Sequence, residues 1–179
     1  MGLPVAAAQQ DPLPRNLASP FTLPYVPSNP ADIELVTLLL GREPRAEFEI
    51  VVRGEKGEPI VLRNAALMYD STPMPTLYWL VDPELNRRVG TIEAEGGVRA
   101  AEAAVDGLAL IEAHNAYAAM RDASLPADYD GPLPSGGVGG TRIGVKCLHA
   151  HYANFLAGGV DPVGEWVEQR LASKEGQSE

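Results

Sequence analysis

At Asp82 the hydrophobic pattern of this chain changes period. Between Glu47 and Val81, apolar residues alternate with charged ones or gather in short aromatic and β-branched runs. After Asp82, alanine-rich stretches recur at helical spacing almost to the end. A period of two builds half-buried strands and a period of 3.6 builds amphipathic helices. Strands followed by helices, rather than alternating with them, predict an α+β fold. A small antiparallel or mixed sheet in the first half would pack against a helical second half.

The stretch "NPADIELVTLLLG" predicts a helix capped by Asn29 or Asp32, with Ile33, Val36, Thr37 and Leu40 at helical spacing and Gly41 as its stop. Phe48, Ile50 and Val52 alternate with Glu47, Glu49 and Arg53 as a strand, and "GEKGEP" is a turn. "IVLRNAALMY" supplies a second strand and part of a third, and "TLYWLV" is a buried strand. Asp82 followed by Pro83 is a strong helix start. "VRAAEAAVDGLALIEAHNAYAAMRDA" predicts one long helix with Gly107 as its weak point. "VKCLHAHYANFLAGG" predicts a helix over Val145–Leu156, stopped by two glycines. "DPVGEWVEQRLASK" is the last helix.

The two ends are poor folding material. Residues 1–30 hold seven prolines and almost no charge, so they are expected to form an extended or disordered arm. Residues 173–179 are expected to fray. A single domain over residues 31–172 remains, long enough for one core. The net charge of −10 argues against nucleic-acid binding, which needs a basic surface. No apolar run is long enough to span a membrane. The single cysteine precludes an internal disulfide, and the N-terminus lacks the basic start and apolar core of a signal peptide. A cytoplasmic location is expected. No motif names a cofactor.

The chemically active groups concentrate in "GGVGGTRIGVKCLHAHYANFL", Gly136–Leu156. It holds the only cysteine, two of the three histidines and one of the three lysines. Its glycines precede a predicted helix start, where free backbone N–H groups converge, and Arg142 and Lys146 add positive charge. That combination predicts a site for a small anionic ligand, such as a phosphate compound, around residues 136–149, with Arg142, Lys146 and His149 in its wall. The following lysine–cysteine pair does not fit a Walker loop. On the predicted helix, Val145, Leu148, Tyr152, Phe155 and Leu156 form the core stripe, His151 falls beside Cys147, and His149 falls beside Lys146.

In "HNAYAAMR", His114, Tyr117 and Arg121 line one helix face. They are expected to form the opposite wall of the anion pocket. Arg42 and Arg45, in "GREPR", are further candidates for ligand contact. A histidine, His149 or His114, is the expected acid or base of any chemistry, with Cys147 a lesser candidate as nucleophile. The alternative is a metal site in which Cys147 and His151, at i and i+4, are joined by His114 from the neighbouring helix. A third reading is a non-enzymatic interaction module that takes a protein partner through the Pro-rich arm.

"GREPR", "PTLYWLVDP", "HNAYAAMR" and above all "GVKCLHAHYA" resemble a bacterial family, mainly actinobacterial, catalogued as domain of unknown function 501. The resemblance covers about residues 35 to 170. It implies no particular activity. Its members' gene neighbourhoods imply a role near phosphate metabolism or cell division. Related sequences often carry cysteine at the position of Asp82, and some also carry cysteines in the early strand region. A thiol or metal function that required those cysteines would not carry over to this chain.

Overall fold

The computed structural model describes residues 26–175. Most of the proline-rich arm and residues 176–179 lie outside them. Ten elements follow in order: α1 (Pro30–Leu40), β1 (Phe48–Arg53), β2 (Pro59–Asn64), β3 (Tyr78–Leu80), α2 (Pro83–Ala94), α3 (Gly97–Ala104), α4 (Gly107–Ala123), a 3-10 turn (Val138–Gly140), α5 (Leu148–Leu156) and α6 (Pro162–Glu175). The fold is α+β, as the switch of period requires. All three strands lie in the first half and five of the six helices follow them.

The sheet is antiparallel throughout, in the order β1-β2-β3. Phe48 pairs with Asn64, and Leu62 pairs with Trp79. "GEKGEP" closes the first hairpin, with Gly57 at φ 83°. The second expected strand ends at Asn64, and beyond it only an isolated bridge, Leu67 to Pro73, continues the pairing. β2 is central, and both of its faces are covered. Leu62 packs with Val36 of α1, Phe48 and Val81 on one side. Val61, Tyr78 and Leu80 pack with the helices on the other.

Asn29 is the cap that α1 uses, its Oδ1 accepting from the Asp32 N–H at 3.0 Å. Asp82 caps α2 through the Leu85 N–H at 2.7 Å. The predicted long alanine-rich helix is two helices. Val105 is extended (φ −91°, ψ 155°), and the Asp106 carboxylate accepts from the Ala109 N–H at 2.9 Å. The aspartate competes for the backbone there, so a new helix begins at Gly107.

The helix expected from Val145 begins only at Leu148. Cys147 is its N-cap, with extended backbone (φ −150°, ψ 118°) and no capping side-chain bond of its own. This correction matters for the site, because helical phase no longer applies to Lys146 and Cys147. α5 is the central helix of the second half. Leu148 and Ala153 are fully buried, packed with residues of β3, α2 and α6. α6 extends through Glu175, past the point where fraying is expected.

Candidate functional site

The Gly136–Lys146 loop is held from below by α4. His114, Tyr117 and Arg121 do share one face of that helix, and all three are buried. Their polar atoms are occupied by the protein's own groups, mostly backbone, with Arg121 also bound to the Asp122 carboxylate at 2.8 Å. His114 Nδ1 accepts from the Val138 N–H at 3.1 Å, so Nε2 carries the hydrogen and donates to the Gly144 carbonyl at 3.0 Å. Burial holds its pKa below 6.5, consistent with a neutral ring that ties both ends of the loop. Arg121 donates to the Gly136 carbonyl at 2.7 Å and the Pro134 carbonyl at 2.8 Å. Tyr117 accepts from the Leu77 N–H at 2.7 Å, and its hydroxyl is pushed up to about 12, first by burial. The stripe joins the loop and β3 to α4.

The loop's N–H groups are answered by two carboxylates from far upstream. Glu102 of α3 accepts from the Val145 N–H at 3.2 Å. Glu93 of α2 accepts from the Leu148 N–H at 2.6 Å and so caps α5, which has no cap of its own. An internal anion therefore stands where the glycines and helix start suggested an external one. Arg142 and Lys146 are exposed on the same loop. Arg42 lies over the Trp79 ring at 5.2 Å and Arg45 is 3.9 Å from Asp70. Both stay with the first half of the chain.

The histidines part company in a way the expected helical phase reverses. His151 is fully buried and its Nδ1–H donates to Asp161, 2.9 Å from both carboxylate oxygens. Asp161 also accepts from Asn154 at 3.0 Å and from the Val163 and Gly164 N–H groups, capping α6. His151 Nε2 is sealed without a partner, its ring edge-on to His114 at 5.4 Å between centroids.

His149, not His151, turns back to Cys147. Its Nδ1 lies 4.0 Å from Cys147 Sγ and 3.3 Å from Glu93 Oε1. Its Nε2–H donates to the Asn86 carbonyl of α2 at 3.0 Å, with the ring lying over Gly90. That bond orients the ring and directs Nδ1 at the other two groups. The hydrogen bond with Cys147 pushes His149 up to about 9; burial opposes this, while the Asn86 carbonyl and Glu93 favour it.

Glu93, Cys147 and His149 thus offer three ligand atoms within 4.8 Å of one another, all half-buried. Glu93 was not foreseen. The sequence signal for it was indirect: a helix beginning at Leu148 with no Ser, Thr, Asp or Asn before it needs an acceptor from elsewhere.

The molecule also has a cleft of about 880 Å³ between α4 and the segment after β2, walled mainly by Ala113, Ala116, Met120, Leu67 and Leu77. Of the residues nominated from sequence only Tyr117 lines it, and none of Glu93, Cys147 and His149 does. The reactive groups converge at the carboxylate–thiol–imidazole cluster, apart from the larger, apolar cleft.

Fold and site together define an α+β protein with a solvent-accessible cluster of one carboxylate, one thiol and one imidazole at a helix start. Residues 50–169, more than half of the chain, match DUF501, described as a protein of unknown function. The chain belongs to that family. No curated protein and no solved structure matches it. Among the described residues no helix is long and apolar enough to cross a membrane.

Proposed function

We propose that this protein binds a divalent transition-metal ion through Glu93, Cys147 and His149. The convergence of the three ligand atoms carries the reading. With usual zinc–ligand lengths, a tetrahedral ion separates sulfur from nitrogen by about 3.6 Å and nitrogen from oxygen by about 3.3 Å. The corresponding separations here are 4.0 Å and 3.3 Å, and all three ligand atoms lie within 4.8 Å of one another, so the thiol closes in when an ion binds.

The surroundings suit a metal as well. The imidazole donates its other N–H to a carbonyl and the carboxylate accepts from a backbone N–H, the outer contacts that orient metal ligands. Thiolate and carboxylate balance the charge of a divalent ion. Sulfur and imidazole select zinc or a neighbouring transition metal over calcium or magnesium, which take oxygen. The ligand set differs from the Cys147, His151 and His114 set expected from helical phase, because Cys147 lies before the helix and His114 and His151 are engaged elsewhere.

The test is metal content after loading with zinc and removal of the excess. The wild type is expected to retain a stoichiometric ion, and the Cys147→Ser, His149→Ala double variant to lose it. Equal retention by the two proteins, or none by the wild type, would defeat the reading.

A further inference from the structure

We infer that the ion at Glu93, Cys147 and His149 keeps one exchangeable coordination position and that this position takes a small oxyanion, a phosphate or a carboxylate. The inference rests on the metal reading. Among the described residues the cluster supplies three ligands, and a tetrahedral ion needs a fourth. The neighbouring groups able to give it are committed. His114 uses both ring nitrogens on Val138 and Gly144. His151 is bound to Asp161 and sealed. Glu102 is drawn to the Val145 N–H. The fourth ligand therefore comes from solvent, and the site is open to it: the His149 and Glu93 side chains are each 27% exposed.

Charge and space indicate what replaces the water. Thiolate and carboxylate already neutralise a divalent ion, so an anion in the fourth position leaves a local excess of negative charge. Lys146, exposed and next in sequence to Cys147, is the cation available to offset it. Beside them stands Gly139, at φ +66°. Glycine adopts that backbone readily, and a Cβ there would lie in ordinary contact, 3.7 Å from the Cβ of Cys147 and 3.8 Å from that of Lys146. Anion selectivity would then come from the ion and Lys146. The loop N–H groups of Val145 and Leu148 are already used by carboxylates.

Cobalt(II) in place of zinc makes the test optical, since its visible bands report coordination. Inorganic phosphate and acetate are titrated separately into the cobalt-loaded full chain, with chloride at equal ionic strength as control. A saturable band change with at least one oxyanion is expected, and which of the two binds tighter identifies the source. Lys146→Gln should retain cobalt as the wild type does and weaken the oxyanion about threefold, as expected for one solvated charge several ångströms away. Bands unmoved by either oxyanion, or moved equally by chloride, or an unchanged affinity in Lys146→Gln, would overturn the inference while leaving the metal reading intact. Failure to retain cobalt at all would overturn both.

Discussion

Glu93 has two separable jobs, and its replacement tests both. Its carboxylate is the acceptor that caps α5, 2.6 Å from the Leu148 N–H, and it faces His149 at 3.3 Å. Removing an N-terminal cap costs about 1 kcal/mol. Losing negative charge at a helix start costs about 0.5 kcal/mol more, and a half-exposed ion pair adds about 0.3 kcal/mol. Glu93→Ala should therefore destabilise the metal-free protein by about 2 kcal/mol, a fall in Tm of roughly 4–8 °C for a domain of this size. Glu93→Gln keeps an acceptor and forfeits only the charge, so it should lose about 0.8 kcal/mol, roughly 2–3 °C. Circular-dichroism melts in the presence of a chelator measure both. Zinc should then raise the wild-type Tm more than that of Glu93→Gln. Equal losses in the two variants would refute the capping role, and equal zinc shifts in Glu93→Gln and the wild type would refute the ligand role.

Two further outcomes concern the clamp beneath the loop. Arg121→Ala leaves the Gly136 and Pro134 carbonyls without a donor and should cost about 3 kcal/mol; Arg121→Lys should rescue little, because one ammonium cannot reproduce the fork, and hydrogen exchange should quicken across residues 134–140. His114 should titrate below 6.5 by NMR, first because of burial, with His151 adding repulsion and Asp161 opposing it. Since its folded pKa lies below its unfolded one, the unfolded chain takes the proton first. Its contribution to stability is then complete above about pH 6.5 and lost as pH falls below that. Urea midpoints between neutral and mildly acid pH measure the trend, and a His114 titration at or above 6.5 would contradict it.

The gross architecture could be read from local chemistry. The period switch at Asp82, the Asn29 and Asp82 caps and the "GEKGEP" turn each act within a few residues, and each appears where the sequence puts it. Alanine-rich composition hid the break before α4, because it favours helix on both sides while Asp106 quietly offers a new start. The site was legible in part. The stretch holding Cys147 and His149 was the right place, but the partners were assigned by carrying the helix back to Val145. The N–H groups of Val145 and Leu148 instead reach Glu102 and Glu93, 43 and 55 residues upstream. Those tertiary acceptors fix the helix start, and the start decides which histidine meets the cysteine. The face shared by His114, Tyr117 and Arg121 follows from spacing alone. That it meets mostly backbone depends on where the loop after α4 comes to lie.

Zinc stoichiometry decides the central claim most directly. Wild-type protein dialysed against zinc and then against metal-free buffer should retain an ion in proportion to chain, and the Cys147→Ser, His149→Ala double variant should not, while a His151→Asn variant that remains folded should retain it like the wild type. Loss of the ion in His151→Asn together with retention in the double variant would contradict the assignment of the site to Glu93, Cys147 and His149.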